Sequence, residues 1–296
     1  MKYSLYPGCS LHSTGLEYGL SSRAVLHHLE IEIQELQGWN CCGASSAHAL
    51  SHTLGLALPA RVIALAQSSG QDLVVPCAAC FNRLKGAEHA LRTDPAQRAQ
   101  IESLVGFEFR AGLSIRPLLA LFSENGGLER IAARVKKPLT GLRVVPYYGC
   151  LLLRPPQITG FDNAENPQVM ARLLAAIGAE VKPWSYASDC CGAGLSLSRS
   201  DIVQKLVGRL ATCAREAGAE ALVTACPLCQ VNLEMRQTSE PKLPAFYFTE
   251  LLGLAFNLPQ AKQWWPKHLI DPRPLLSRLS LLDVAEPVEL LEPEFV

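Results

Sequence analysis

The sequence predicts an α/β protein with two similar Rossmann-like domains, whose parallel sheets are related by a pseudo-twofold axis, followed by a C-terminal extension. Three observations lead to this prediction. The same cysteine pattern occurs twice, the same succession of strands and helices surrounds each copy, and the last part of the chain has no counterpart in the first half. We place the first domain at residues 1–140, the second at 141–250 and the extension at 251–296.

Each half of the sequence is predicted to run strand, helix, strand, helix, strand. The predicted strands are short apolar runs, at residues 2–9, 31–36 and 72–76 in the first half and at 143–150, 179–184 and 221–225 in the second. The predicted helices lie between them, at 16–29 and 56–70, and again at 166–178 and 200–218. Because right-handed crossovers join consecutive parallel strands, this succession indicates a parallel sheet in each half.

Several helix ends are marked by residue type. Asn166 and Pro167 favour an N-cap and a first helical position, so the third predicted helix should begin there. Glycines close three of the predicted helices, at Gly70, Gly178 and Gly218. The stretch KPLTG, residues 137–141, is predicted to link the two domains.

Composition and charge exclude several classes of protein. Of the 296 residues, 49% are hydrophobic and 18% are charged, which favours a folded globular chain over a disordered one. Lys+Arg and Asp+Glu each number 27, so the sequence lacks the excess of basic residues that is typical of nucleic-acid-binding proteins. The first ten residues lack an apolar signal segment, and no apolar run reaches the ~18 residues of a membrane span. We therefore expect a cytoplasmic protein without a direct membrane span.

Ten of the 11 cysteines form two sets with the same spacing. In both sets 34 residues separate a CCG motif from a C-x-x-C motif, and both motifs recur at an offset of 149 residues. Each set has three cysteine stations: a single cysteine, the CCG motif and the C-x-x-C motif. Every station follows a predicted strand, so the three stations should converge at the carboxyl edge of each sheet. The first cysteine set is Cys9, Cys41, Cys42, Cys77 and Cys80; the second cysteine set is Cys150, Cys190, Cys191, Cys226 and Cys229.

Five cysteines per set limit what each set can bind. In a long chain without a secretion signal, such cysteines indicate metal binding or redox chemistry rather than a disulfide scaffold. Structural zinc and a cubane iron–sulfur cluster both take four ligands and would leave one thiolate spare. An adjacent pair suits a larger cluster, since the two thiolates can reach different irons and the following glycine lets the backbone come close. Zinc binding and disulfide exchange by C-x-x-C remain alternatives.

The motif C-x31–39-CCG-x34-C-x-x-C, present twice, resembles the CCG-domain proteins, and among them the CCG-containing subunit of heterodisulfide reductase. The resemblance covers nearly the whole chain, and all ten motif cysteines match without a gap. The matching stretches are YPGCSLHST, WNCCGASS, PCAACFNRLK, GFDNAENPQVM, DCCGAGLSLSR and ACPLCQVNLEMRQ.

The resemblance implies a cofactor, a reaction and partners. Each cysteine set would hold one non-cubane [4Fe-4S] cluster through its five thiolates. A substrate disulfide would lie between the two clusters and be split, or formed, by successive one-electron transfers. The chain would be the catalytic subunit of a complex with a subunit that carries cubane clusters and a subunit that carries flavin. The alternatives are a CCG-type subunit of a sulfur-oxidising or quinone-linked complex, and a non-catalytic electron-transfer or zinc-structural subunit.

Several residues outside the two sets have a structural and a functional interpretation. Cys213 falls on an apolar stripe at helical spacing and is predicted to be a small buried residue. Six of the seven histidines lie in the first hundred residues, and His12 and His48 lie near the cysteines, where they would tune a cluster or simply face solvent. For Arg83, Lys85 and Arg199 a solvated helix face is preferred to an anion-binding role. Trp264 and Trp265 would either pack on the domain, which is preferred, or anchor a partner subunit.

Overall fold

The computed structural model describes residues 2–44, 46–124 and 126–282. Within them, two four-stranded parallel sheets are present, with strand orders β2-β1-β3-β4 and β6-β5-β7-β8. The first sheet consists of β1 (Lys2–Leu5), β2 (Glu32–Glu35), β3 (Leu73–Val75) and β4 (Ile115–Pro117). The second consists of β5 (Arg143–Tyr147), β6 (Glu180–Val181), β7 (Ala221–Thr224) and β8 (Ala245–Tyr247). The predicted fold class, two similar α/β domains with parallel sheets, is confirmed.

Helices cover both sheets. The first half contains α1 (Leu16–His28), α2 (Ala47–Leu50), α3 (His52–Ser69), α4 (Ala78–Thr93), α5 (Pro95–Val105) and α6 (Gly127–Ala132). The second half contains α7 (Pro156–Thr159), α8 (Val169–Ala176), α9 (Ser200–Glu216), α10 (Pro227–Met235), α11 (Phe248–Ala255) and α12 (Arg273–Arg278). Short 3-10 helices occur at Cys9–His12, Leu118–Phe122, Ala193–Leu195, Pro259–Gln263 and Trp265–Lys267. Because helices flank both faces, β3 and β7 are buried along their whole length, which explains their continuous apolar runs.

The structure differs from the sequence prediction in two local features. Each sheet has a fourth strand, β4 or β8, that the sequence analysis did not predict; each runs directly into a helical turn, at Leu118 or Phe248, so no loop marks its end. The third predicted helix begins at Val169, so the prediction of an N-cap at Asn166 is wrong. The Asp162 carboxylate accepts the backbone N–H groups of Gln168 and Val169 at 2.9 and 2.7 Å and so supplies the missing acceptor for this helix start.

The two halves meet in a pseudo-symmetric way. Helix α11 of the second half packs along α1, and in return the 3-10 helix Leu118–Phe122 and α6 of the first half pack on α8. At the centre of the interface, the Tyr18 hydroxyl donates towards the carbonyl oxygens of Pro76 and Ala225, at 3.3 and 3.4 Å. These two carbonyls occupy equivalent positions, one residue before each C-x-x-C motif. This is the arrangement expected when a pseudo-twofold axis passes between the halves.

An insertion makes the two halves unequal. The second half has 39 residues between its first cysteine and its CCG motif, whereas the first half has 31. The additional residues form a loop with the short helix α7, which packs on α4 of the first half. The Asn82 amide donates to the carbonyls of Leu151 and Arg154 in this loop, at 3.1 and 2.7 Å. The insertion therefore fills one side of the interface between the domains.

The predicted linker and extension are both packed against the second half. Leu139 of the linker is fully buried, and its N–H donates to the carbonyl of Ile177 at 2.9 Å. Helix α11 crosses the predicted limit at residue 250, and the limits 1–140, 141–250 and 251–296 remain predictions. Trp264 and Trp265 are buried, as predicted. Residues 283–296 of the extension lie outside the described residues.

The described helices include none that is both long enough and apolar enough to cross a membrane.

Candidate functional site

Every cysteine station follows a strand, as the sequence predicts. Cys9 and Cys150 follow the central strands β1 and β5. The CCG motifs follow the edge strands β2 and β6, and the C-x-x-C motifs follow β3 and β7 at the starts of α4 and α10. Because these strands are parallel neighbours, the three stations of each set lie at the same sheet edge.

The first cysteine set forms a compact group of thiols. The Sγ atoms of Cys42 and Cys80 lie 3.2 Å apart, and the N–H of Gly43 donates towards the Cys41 Sγ at 3.4 Å. Cys42, Cys77 and Cys80 are buried, whereas Cys9 and Cys41 are exposed. Three cysteines of the set therefore lie in the core, and the other two face solvent.

The second cysteine set repeats this geometry. The Sγ atoms of Cys191 and Cys229 lie 3.6 Å apart, and the N–H of Gly192 donates towards the Cys190 Sγ at 3.3 Å. Cys191, Cys226 and Cys229 are buried, Cys150 is partly exposed and Cys190 is exposed. The internal repeat of the sequence thus reappears as a repeat in three dimensions.

The two cysteine sets touch at the interface between the domains. The side chains of Cys77 and Cys226, which are equivalent positions, are both buried, and the Tyr18 hydroxyl donates towards the carbonyls of the residues just before them. The interaction with Cys226 raises the pKa of the Cys77 thiol, and the interactions with Cys229 and Cys77 lower the pKa of Cys226 well below its usual value. The pseudo-twofold axis therefore passes between two thiols, one from each set.

Contacts within each set make the thiols unequal. Hydrogen bonds from Cys41 and then Cys80 lower the pKa of Cys42 to about 3, and the bond between Cys41 and Cys42 raises the pKa of Cys41. In the second set a hydrogen bond from Cys150 lowers the pKa of Cys190 to about 6. Since the thiolate is the form that binds metals, each set holds at least one cysteine disposed to act as a soft ligand near neutral pH, beside others whose pKa is raised, such as Cys80 and Cys150.

A glycine precedes the first cysteine of each set because no other residue fits. Gly8 and Gly149 both have φ of +65°, in the left-handed region. A Cβ atom on Gly8 would lie 3.0 Å from the Cys80 Sγ, and one on Gly149 would lie 3.1 Å from the Cys229 Sγ. The backbone therefore passes close beside the sulfurs, and a side chain at either position would crowd them.

A buried tyrosine lies beneath each set, and neither tyrosine was predicted from the sequence. The Tyr6 hydroxyl donates to the carbonyl of Asn40 at 2.8 Å, and the Tyr147 hydroxyl donates to the carbonyl of Asp189 at 2.7 Å. Each bond ties the central strand to the residue just before the CCG motif. The shared pattern Y-x-G-C, at residues 6–9 and 147–150, is the signal that could have revealed them.

The donor set fits an iron–sulfur cluster. Each set offers five sulfur ligands and a backbone that approaches them without a Cβ. Across residues 2–44, 46–124 and 126–282, no three Cys, His, Asp or Glu side chains are arranged as a single metal ion would require. Thiolates are the usual ligands of iron–sulfur clusters, and a cluster has several irons over which to distribute them.

The other residues singled out in the sequence have mostly structural partners. His12 shares a hydrogen bond with Glu35 at 3.2 Å and stacks on Trp39, and His48 contacts the carbonyl of Gly43 at 3.4 Å. Two cations form ion pairs on their own helices, Lys85 with Glu88 at 2.5 Å and Arg199 with Asp201 at 2.9 Å.

Arg83 departs from the prediction of a solvated helix face. Its side chain is half-buried, and its Nε atom is buried without a hydrogen-bond partner among the described residues.

Cys213 lies on α9 at the margin of the buried face, since the buried positions of that helix are Val203, Val207, Leu210, Ala211 and Ala214. It is partly exposed, and no contact joins it to either cysteine set within the described residues.

The residue equivalent to Cys213 in the first half is Ala64, so this position suits a small side chain. We expect Cys213→Ala to keep the full iron content and to change the free energy of unfolding by less than about 0.5 kcal/mol. Iron analysis and urea denaturation test this. Iron loss as large as that of Cys77→Ser would show that Cys213 is a ligand.

Comparisons with known proteins agree with the repeat. The family model of the CCG cysteine-rich domain matches residues 3–85 and 144–234. The chain is 30% identical over 280 residues to the 8-methylmenaquinol:fumarate reductase membrane anchor subunit of Wolinella succinogenes, covering 91% of this chain and 97% of that one. It is 28% identical over 270 residues to a subunit of the ferredoxin/F420H2-dependent CoB-CoM heterodisulfide reductase of Methanosarcina acetivorans, covering 86% and 89%.

A solved structure supports the fold. The crystal structure of a hypothetical protein from Helicobacter pylori matches with a TM-score of 0.72 at 11% identity. The match covers 90% of this chain, which spans about half (51%) of that longer protein. Together, the two matched segments, the repeated sheets and the repeated thiol geometry establish that the chain belongs to the CCG cysteine-rich domain family and carries two copies of the domain.

Proposed function

We propose that this chain is the catalytic subunit of a heterodisulfide-reductase-like complex, which reduces or forms a disulfide by two one-electron transfers. Each cysteine set would hold one non-cubane [4Fe-4S] cluster, and such a cluster supplies one electron at a time when bound. The observation that carries the proposal is the meeting of the two sets at the interface, where the Tyr18 hydroxyl donates towards the carbonyls just before Cys77 and Cys226. The relatives named as heterodisulfide reductase subunits support it.

A pair of sites suits disulfide chemistry. One disulfide, two electrons and two protons give two thiols, so the reaction needs two electrons while each site handles one. Two equivalent sites that meet at a common axis can deliver both electrons to a bond held between them. A single site would have to wait for its second electron while the half-reduced substrate remained exposed.

Substrate access is proposed through a cleft between the domains. A cavity of about 290 Å³ lies between the start of α1 and helix α10, with Ser13, Thr14 and Gln230 among its lining residues. The insertion around α7 fills the interface between the domains on the side of α4, so the cleft is open only on the opposite side. Glu17 lies in the cleft wall, and burial, followed by the charge of Glu250, raises its pKa to about 7. Such a carboxyl group can supply a proton to a thiolate near neutral pH.

The proposed electron donors are a subunit that carries cubane clusters and, behind it, a subunit that carries flavin. Large apolar side chains are exposed just after both CCG motifs: Leu50 and Leu54 after the first, and Leu195 and Leu197 after the second. Exposed apolar groups of this kind are typical of protein–protein contact surfaces. A partner docked there would lie close to the exposed cysteines of each set. The cytoplasmic location predicted from the sequence remains a prediction.

A second candidate is a quinone-linked subunit. It is favoured by the relative named as a subunit of an 8-methylmenaquinol:fumarate reductase, and by the mainly apolar lining of the cleft, to which Leu16 and Val231 contribute. A quinone, like a disulfide, takes up two electrons and two protons. The same paired sites would therefore serve either acceptor.

Metal analysis and acceptor assays test the proposal. Protein purified without oxygen should contain about eight irons per chain, four for each cluster. After reduction by an artificial donor, it should be reoxidised by a disulfide and yield free thiols, with little reoxidation by a water-soluble quinone. Rapid reoxidation by the quinone alone would favour the second candidate. Zinc without iron would contradict both.

A further inference from the structure

Arg83, beside the first cysteine set, is a cation that has no partner among the described residues. It lies on α4, one helical turn after Cys80, with its side chain half-buried. Its Nε is buried and donates to no acceptor, and within the described ranges no ion pair or hydrogen bond involves its guanidinium. A half-buried guanidinium with a buried, unbonded Nε is costly to leave unpaired, so an anion is expected next to it.

The second half has a neutral residue at the equivalent position. Asn232, 149 residues after Arg83, donates to the carbonyl of Cys191 at 3.3 Å and towards its Sγ at 3.8 Å. Its amide oxygen accepts the Ser196 hydroxyl at 2.7 Å. Since Cys42 is the equivalent of Cys191, the repeat places Arg83 beside Cys42.

A second difference in charge between the two halves also favours reduction of the first set. The residue before the CCG motif is Asn40 in the first half and Asp189 in the second. Asp189 is adjacent to Cys190 in the chain, so its negative charge lies beside the second set. Asp189 is exposed and also interacts with Arg209, so its effect should be the smaller of the two. Arg83 therefore adds positive charge beside the first set, and Asp189 adds negative charge beside the second.

We propose that Arg83 makes the first cysteine set the site of higher reduction potential, so that the first electron to arrive resides there. The inference rests on the proposed function, because it requires a cluster at each set. Adding an electron makes a thiolate-bound cluster more negative, and a nearby positive charge in a low-dielectric surrounding stabilises that state. Asp189 acts oppositely at the second set. Arg83 thus acts through its positive charge, which stabilises the reduced first site, and does not need to touch the substrate.

A redox titration followed by electron paramagnetic resonance tests the inference on the oxygen-free, iron-loaded chain. The double variants Cys41→Ser/Cys42→Ser and Cys190→Ser/Cys191→Ser assign each signal to its site. We expect the first site to be reduced at the higher potential. Arg83→Gln should shift the distribution of one electron between the sites by at least tenfold towards the second, which corresponds to about 59 mV. Arg83→Lys keeps the positive charge and should retain most of the native difference in potential between the sites. Asp189→Asn should raise the reduction potential of the second site, by a smaller amount than the change in Arg83→Gln.

Arg92→Gln is the matched control. Arg92 is on the same helix but pairs with Glu88 and is remote from Cys42, so both potentials should stay unchanged. Equal potentials in the native chain, or no shift in Arg83→Gln with both signals present, would overturn the inference while leaving the proposed function intact. Iron absent from the native chain would overturn both. If Arg83→Gln fails to fold, Arg83→Met decides, because it removes the charge and keeps the apolar part of the side chain.

Discussion

The double variant Cys190→Ser/Cys191→Ser should lose the second cluster, keep the first, and reduce disulfide turnover to near background. We expect the iron content to fall from about eight to about four per chain. Turnover with an artificial electron donor should fall at least ~100-fold, equivalent to about 2.7 kcal/mol of activation free energy. The reason is that one remaining site delivers one electron, whereas the disulfide requires two.

The choice of cysteines follows from the geometry. Cys226 touches Cys77, so its substitution would disturb both sites at once. The pKa of Cys190 is lowered by Cys150 of its own set, and Cys191 bonds to Cys229, so removing this pair leaves the first set intact. The matched variant Cys41→Ser/Cys42→Ser should produce the mirror result. A double variant that lacks the second cluster yet turns over at a large fraction of the native rate would show that the second site is only a relay.

Most of the site could be predicted from the sequence because its signals are local. An apolar run that ends in glycine and cysteine predicts a strand with a thiol at its carboxyl end, and three cysteine stations that follow strands in each half predict one shared sheet edge. The offset of 149 residues then predicts a second, equivalent site. The resemblance to CCG-domain proteins indicated which cofactor to expect, a question that the cysteine spacing alone left open.

What the sequence did not reveal depends on distant contacts. Tyr18 joins two carbonyls that are 149 residues apart, and no periodicity indicates such a bond. The helix at Val169 is capped by Asp162, seven residues upstream, rather than by the nearer Asn166. Arg83 is of a residue type that is usually solvated, and only the packing of α4 makes it half-buried. Strands β4 and β8 run directly into helical turns, at Leu118 and Phe248, so no loop separates them from the apolar helix that follows.

A buried ion network that ties the extension to the core also went unpredicted. His268 has its Nδ1 2.9 Å from Glu234 and its Nε2 2.9 Å from Glu250, and all three side chains are fully buried. Glu234 also accepts the backbone N–H groups of Leu269 and Ile270, at 2.7 and 3.2 Å. Since both ring nitrogens contact carboxylates, the imidazole is held as a cation that donates both bonds.

The charge state of His268 makes stability depend on pH. Burial alone lowers the pKa of His268, but the charge of Glu250 and the bonds to both carboxylates outweigh it and raise the pKa to about 11. In the unfolded chain the pKa is about 6.5. The stabilisation is therefore fully present below about pH 6.5 and is lost as the pH rises towards about 11, because the folded state holds a proton that the unfolded state has released.

His268→Ala should destabilise the protein by about 3–5 kcal/mol at about pH 6, because it leaves two buried carboxylates without their cation. In the native chain we expect the free energy of unfolding to fall between about pH 7 and about pH 10, and in the variant this fall should be much smaller. Urea denaturation at each pH measures both effects, and His268→Gln serves if the alanine variant does not fold. His89→Ala, an exposed histidine on α4, is the control and should change stability by less than about 0.5 kcal/mol. An unchanged pH dependence in both His268 variants would mean that the imidazole is neutral in the folded protein, and that the extension is held by packing around Trp264 and Trp265 rather than by charge.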